Sequence, residues 1–173
     1  MTTPGGEVPA DRREVFHGRL VSVEVWEGRY REIVRHPGSC AAVPLVGDDV
    51  LLVRQMREAV GEALLEIPAG TRDVAGEEAA VCAAREVREE TGHRVVRVEP
   101  LGWIYASPGF LDERVDLFLI DAEPEGPAED GIEVVRLPFR DAVELAAGGG
   151  IRDAKSVTGL LLAARRRGLD RPG

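Results

Sequence analysis

Apolar positions in the first seventy residues fall in short runs broken by Gly, Pro and Asp. Leu20, Val23 and Val25 lie close to alternation, and Trp26 to Arg29 then reads as a turn. Tyr30 to Arg35 predicts a second strand, closed by His36-Pro37-Gly38, so residues 12–37 are expected to form an N-terminal antiparallel hairpin. Cys40 to Val46 and Val50 to Arg54 are more continuously apolar, which suits buried strands, with Gly47-Asp48-Asp49 as the turn between them. Residues 57–68 read as a connector with a short apolar insert, Ala63-Leu64-Leu65.

The period changes after that. Ala80, Ala83, Ala84 and Val87 recur at helical spacing, predicting a helix over Glu77 to Thr91 whose small residues can pack closely on a sheet. Glu77 and Glu78 sit in its first turn, where the dipole favours anions, and Gly92 is placed as its C-cap. Val95 to Tyr105 and Val115 to Ile120 read as further strands joined by Ser107 to Glu113, and an acidic Pro- and Gly-rich loop runs from Asp121 to Gly131. A short strand over Glu133 to Leu137 precedes helices over Phe139 to Ala147 and Ala154 to Arg167. Strands first, one helix among them and helices last predict an α/β fold, a mixed sheet covered by helices.

Composition narrows the classes. With 173 residues, one domain over 12–173 behind a loose terminus at 1–11 is the expected organisation. A net charge of -9 excludes non-specific binding to nucleic acid or to anionic membranes. The first ten residues are read as neither a secretion signal nor an anchor, so the cytoplasm is expected. The two cysteines, Cys40 and Cys82, lack ligand spacing and are expected as small core thiols, with neither a zinc site nor a disulfide.

The helix carries the chemistry. At about 100° per residue, Glu86 and Glu90 sit about 40° apart on one face, with Glu89 about 60° to the other side of Glu86. Like charges so placed repel unless neutralised. One reading is a solvated charged face. The other is a site for Mg²⁺ or Mn²⁺, which prefer hard oxygen ligands, with Arg85 holding one of the acids in place.

The flanking residues favour the second. From Gly70 the run continues to Glu77, then Arg85-Glu86-Val87-x-Glu89-Glu90-x-Gly92. This resembles the Nudix hydrolase signature, Gly-x5-Glu-x7-Arg-Glu-U-x-Glu-Glu-x-Gly-U, where U is a large aliphatic residue. Two positions depart from it: six residues separate Gly70 from Glu77, and His93 stands where an aliphatic residue is usual. Outside the box, Arg31 to Gly38, Val53 to Arg57, Leu65 to Gly70, Ser107 to Glu113 and Lys155 to Leu160 resemble the ADP-ribose pyrophosphatase branch, so the likeness covers residues 19 to 165.

The resemblance implies a Nudix-type α/β/α sandwich and metal ligation by Glu86, Glu90 and the Ala69 carbonyl. Glu89 would be a further ligand or the base. It also implies hydrolysis of a nucleoside diphosphate substrate, ADP-ribose to AMP and ribose 5-phosphate, with Mg²⁺ as cofactor. Arg57 would contact the diphosphate, Glu113 would orient or deprotonate the attacking water, and Ser107, Gly109 and Phe110 would line the ribose end. Relatives are homodimers that exchange the N-terminal hairpin, which would bring Trp26, Arg31 and Glu32 to the partner's adenine pocket. Another nucleoside diphosphate sugar, such as ADP-glucose or GDP-mannose, is the alternative substrate. A non-catalytic ADP-ribose-sensing module is the alternative of a different class. His17, His36 and His93 have no convergent partners in sequence and are expected to be structural or exposed.

Overall fold

The computed structural model describes residues 11–29 and 31–169. The expected loose terminus over residues 1–11 lies outside them but for Asp11, as does Tyr30, the expected first residue of the second strand. The chain runs β1 (Arg12–His17), β2 (Ser22–Trp26), a single 3-10 turn (Glu27–Arg29), β3 (Arg31–Arg35), β4 (Ser39–Val46), β5 (Asp49–Arg57), β6 (Glu62–Glu66) and β7 (Ala69–Thr71). Then follow α1 (Ala79–Thr91), β8 (His93–Tyr105), β9 (Arg114–Pro124), β10 (Glu133–Pro138), α2 (Phe139–Ala147) and α3 (Ala154–Arg166).

The N-terminal region is a three-stranded antiparallel sheet, β1-β2-β3, where a two-stranded hairpin was expected. A tight turn, with the Gly18 N–H on the Val21 carbonyl at 2.8 Å, separates β1 from β2. The larger sheet has the order β10-β5-β4-β9-β8, with β6 on β5 and β7 on β4. The β4–β9 pair is parallel and its neighbours are antiparallel, so the sheet is mixed. The stretch read as a connector contains β6, which runs back along β5 with Arg57 opposite Glu62 and Val53 opposite Glu66.

Alternation along the central strands divides the interior into two layers. Ala41, Val43, Leu45, Val115, Leu117 and Leu119 face α2 and α3 with Ile67, Phe139, Leu160 and Ala163. Cys40, Ala42, Phe118, Ile120 and Ala122 face α1, where they meet Cys82, Ala83 and Val87. The architecture is an α/β/α sandwich, as expected. Small residues on α1 let it lie close to β4, and one consequence is a correction: Cys40 and Cys82 are disulfide-bonded, with Cα atoms 6.3 Å apart. Forty-two residues separate them in sequence. Only the packing of α1 on β4 brings the two sulfurs together.

The helix itself begins two residues later than expected. Glu78 is its N-cap residue, without a side-chain capping bond, and Glu77 lies outside. Gly92 ends it in the left-handed region at φ 70°, with its N–H on the Arg88 carbonyl. A Cβ there would also strike the Gly126 carbonyl oxygen at 2.3 Å, so glycine is required twice over.

Candidate active site

The segment after β6 forms the floor of the site. The Pro68 carbonyl accepts the Ala42 N–H at 3.0 Å and β7 pairs with β4, which lays residues 68–71 along the sheet. Glu86 from α1 rests directly on this floor. A Cβ on Gly70 would fall 2.0 Å from the Glu86 carboxyl carbon, so only glycine lets the helix acid approach the backbone. Next to it, Glu90 is 7% exposed and accepts the Ala69 N–H at 3.1 Å and the Gln55 side-chain amide at 2.7 Å.

Both acids are held above the ordinary carboxylate range. Burial pushes Glu90 up to about 7, against the opposing pull of its Gln55 and Ala69 hydrogen bonds. Burial also raises Glu86, partly offset by the adjacent Arg85 guanidinium. Two desolvated carboxylates of like charge side by side are disfavoured in their ionised form unless a cation joins them. Among the described residues no group of three or more His, Cys, Asp or Glu side chains is gathered as a complete ligand set. The donor chemistry nonetheless fits a hard divalent cation: Glu86 and Glu90, beside the backbone of Ala69, offer oxygen ligands in a place that calls for positive charge.

Arg85 is the hub that fixes the helix acids. Its Nε and Nη2 donate to Glu77 at 3.1 and 3.2 Å, and its Nη1 donates to Glu86 at 2.6 Å and Glu89 at 3.0 Å. The Glu77 bonds come first among the causes that raise its pKa, so it stays charged. Glu89 is 48% exposed and lines a groove on the outer side of α1, away from the floor. As arranged, Glu89 is engaged by Arg85 rather than turned toward Glu90.

Beside the Ala69–Gly70 floor is a cavity of about 300 Å³, lined by Arg57, Lys155, Ala69, Gly70, Ser39 and Glu113. Glu113 accepts the Ser39 hydroxyl. His36 also lines the cavity; its Nδ1 accepts the Gly38 N–H at 3.0 Å and lies 3.9 Å from Glu113. It is half-buried, which of the two expected alternatives, structural or exposed, favours the structural one. Arg57 donates through Nε and Nη2 to the two oxygens of Glu66, each at 2.7 Å.

The loop bearing Glu113 is fastened to the N-terminal sheet. Val34 exchanges backbone bonds with Phe110 and Asp112 at 2.7 and 3.2 Å, and the Asp112 side chain accepts the His36 N–H at 2.8 Å and Arg35 at 3.0 Å. Arg35 also donates to the buried Glu24 at 2.8 Å, and Trp26 donates to the same carboxylate at 3.3 Å. Ser107, Gly109 and Phe110 form the outer turn of this loop, and none of them lines the cavity. Arg31 and Glu32 are exposed on β3, paired across from Trp26 and Val25. Within one chain these three N-terminal residues stay outside the cavity.

Sequence reasoning passed over Ser39, Gln55, Glu66 and Lys155. Glu66 did leave a signal, as a lone acid between Leu65 and Ile67. The others are joined to the site only by long-range contacts.

A family model described as the NUDIX domain matches residues 35–160. The chain belongs to the Nudix family. It is a Nudix pyrophosphatase, and its two departures from the family signature have visible accommodations. The extra residue between Gly70 and Glu77 falls in an exposed turn over residues 73–76, closed by the Glu77 N–H on the Val74 carbonyl at 3.1 Å. His93 opens β8 with its Nδ1–H donated to the Thr91 carbonyl at 2.7 Å.

Among curated proteins, this Nudix chain is 31% identical to the ADP-ribose pyrophosphatase of Bacillus subtilis, covering 84% of the chain and 85% of that protein. It is 36% identical to the GDP-mannose pyrophosphatase of Cronobacter sakazakii over 80% and 82%. It is 31% identical to the methanol dehydrogenase activator of Bacillus methanolicus over 83% and 85%. Among solved structures, an ADP compounds hydrolase superposes with a TM-score of 0.76 at 22% identity, covering 94% of this chain and 95% of that one. That last likeness supports the fold. Among the described residues no helix is long and apolar enough to cross a membrane.

Proposed function

We propose that the protein hydrolyses the diphosphate of ADP-ribose, adding water across the P–O–P bridge to release AMP and ribose 5-phosphate. The observation that carries this reading is the cavity itself. Its walls carry Arg57 and Glu113, and the Ala69–Gly70 floor that it shares is the one on which the Glu86 and Glu90 carboxylates rest. The likeness to the Bacillus subtilis ADP-ribose pyrophosphatase supports the choice of substrate.

In this reading Glu86, Glu90 and the Ala69 carbonyl hold a divalent cation, Mg²⁺ or Mn²⁺. When bound, it supplies charge neutralisation at the diphosphate and polarisation of phosphorus. The chain's own residues do the rest. Arg57 places one fork of its guanidinium on Glu66 and has Nη1 left to bind a phosphate oxygen. Glu113 takes a proton from the attacking water, its carboxylate aimed by the Ser39 hydroxyl. Arg85 keeps Glu86 and Glu89 in register through the three acids it pairs with. Ser107, Gly109 and Phe110 close over the sugar, and Trp26, Arg31 and Glu32 serve the adenine pocket of a second subunit in a homodimer. Cytoplasmic action is the element that the Cys40–Cys82 bond weighs against, because reducing compartments keep thiols open.

A second reading, hydrolysis of another nucleoside diphosphate sugar, draws on the 36% identity to a GDP-mannose pyrophosphatase. A sensing module would have little use for the full set of Glu86, Glu89, Glu90 and Arg57. Steady-state comparison of ADP-ribose, ADP-glucose and GDP-mannose separates the substrates. The expected result is the highest kcat/KM for ADP-ribose, and equal or better turnover of GDP-mannose overturns that assignment. Running the reaction in ¹⁸O-labelled water identifies the phosphorus attacked. Chelation with EDTA is expected to abolish turnover, and activity that survives it removes the cation from the mechanism.

A further inference from the structure

Of the two helix acids on the floor, Glu90 is the one that hydrogen-bonds to no cation among the described residues. Glu86 accepts the Arg85 guanidinium at 2.6 Å. Glu90, 7% exposed, accepts from two donors, and both are neutral. The Ala69 N–H takes Oε2 at 3.1 Å, and the Gln55 side-chain amide takes Oε1 at 2.7 Å. An ionised carboxylate only accepts, so the amide presents its NH₂ group to Glu90 and turns its carbonyl oxygen away.

Strand pairing is what brings Gln55 there, from 35 residues away in sequence. It lies opposite Leu64 in the β5–β6 pair, which carries β5 on to Arg57. Alternation leaves Arg54 and Met56 exposed and turns the half-buried Gln55 the other way, toward α1. Glu90 is thus held from the floor by one element and from β5 by another.

We propose that Gln55 is a positioning residue for the divalent cation, pinning the Glu90 carboxylate without neutralising it. A single hydrogen bond would leave the carboxylate free to swing about it, whereas one on each oxygen fixes its plane. A carboxylate offers about four lone-pair directions, so some remain for a cation after Gln55 and Ala69 have each taken one. A lysine or arginine at position 55 could reach the same oxygen, but it would supply the positive charge that the cation brings. A leucine would leave Oε1 unheld in a desolvated place. The neutral amide orients the ligand and leaves its charge intact. Outer groups that orient metal ligands in this way change metal affinity by about tenfold to a hundredfold.

This inference rests on the reading of Glu86, Glu90 and the Ala69 carbonyl as cation ligands, without requiring a particular substrate. The test titrates Mn²⁺ into the full chain with no substrate present and reads the free ion by electron paramagnetic resonance. The thermal midpoint of the metal-free protein is measured beside it. Gln55→Leu is expected to raise the Kd for Mn²⁺ by about tenfold to a hundredfold. Gln55→Lys is expected to weaken binding at least as much, yet to raise the metal-free midpoint, because its ammonium pairs with Glu90. A residue that merely filled space would lower both affinity and midpoint. Wild-type affinity in either variant overturns the proposal, as does a Gln55→Lys protein whose midpoint falls with its affinity. Glu90→Gln separates the two levels of the reading. If wild-type protein does not bind Mn²⁺, or Glu90→Gln binds it equally well, the cation site itself fails and the role of Gln55 with it. If Glu90→Gln loses binding while Gln55→Leu keeps it, the role of Gln55 alone is overturned. Should Gln55→Leu not fold, Gln55→Lys carries the test.

Discussion

Glu90 and Glu66 are two glutamates buried to a similar depth, 7% and 1% exposed, both close enough to act on Arg57, yet their protonation behaviour is opposite. Burial dominates at Glu90 and pushes its pKa up to about 7, because its hydrogen-bond partners are a neutral amide and a backbone N–H, Glu86 adds to the rise, and Arg57 is the weakest of the opposing influences. Burial also acts first at Glu66. There the Arg57 and Lys155 bonds outweigh it, and the pKa ends below the usual 4.5. The contrast shows that depth alone does not decide whether a buried acid is charged; the sign of its partners does. It also separates the roles. Glu66 is an anion whose cations are already in place, whereas Glu90 and Glu86 form an anionic pair short of one.

The comparison can be broken most forcefully at the unsatisfied acids. Glu86→Gln or Glu90→Gln should lower kcat on the order of a thousandfold, the scale of removing a charge-stabilising group. The fold should persist, since the apolar face of α1 is untouched. Near-normal turnover at saturating Mg²⁺ in either variant would dismiss the ligand assignment. Glu113→Gln comes next, with kcat expected to fall about a hundredfold and KM little changed. A change confined to KM would take the proton-accepting role away from Glu113.

Stability measurements reach the comparison from the other side. Glu66→Gln leaves two partly buried cations short of their counter-ion and should destabilise the chain by roughly 2 to 4 kcal/mol in urea unfolding. A change near zero would mean that solvent already screens the cluster. The pH dependence should also have opposite signs. Because the folded pKa of Glu66 is lowered, its stabilisation is present above 4.5 and disappears as the pH falls below that value. Because the folded pKa of Glu90 is raised, its ionisation costs stability that is absent below 4.5 and fully felt above about 7. In EDTA, Glu90→Gln should therefore be more stable than wild type at pH 8, by up to about 3 kcal/mol, and the gain should shrink as the pH approaches 5. A gain independent of pH would assign the effect to packing.

Much of this molecule was legible from residue order. The hydrophobic periods placed the central strands, the bounds of α2, nearly those of α3, and the Gly92 stop, because each depends on neighbours within a few residues. The run from Gly70 through Glu77 to Arg85-Glu86-Val87-x-Glu89-Glu90-x-Gly92 carried the resemblance to the family, while helical spacing by itself put the carboxylates on one face. Strand pairing was harder to read. The strand β6 was missed because its apolar insert is only three residues long and its meaning comes from pairing with β5. The third N-terminal strand was missed because every residue of β1 is exposed, which leaves no alternation to read.

Residue order alone determined which carboxylates share the helix and where Gly92 ends it, whereas the need for glycine at position 70 came from the close approach of Glu86. The tertiary structure decided which acids are buried, that Glu89 turns outward to Arg85, and that Cys40 meets Cys82 across 42 residues. It also decided that Arg57, Glu66 and Lys155, from three separate elements, share one set of hydrogen bonds. The physical reason is one of range. Helical spacing and turn chemistry act between near neighbours in sequence, whereas desolvation and ion pairing depend on every chain segment that packs nearby. The Arg57–Glu66–Lys155 ion-pair cluster, assembled from β5, β6 and α3, exists only once the sheet has brought them together.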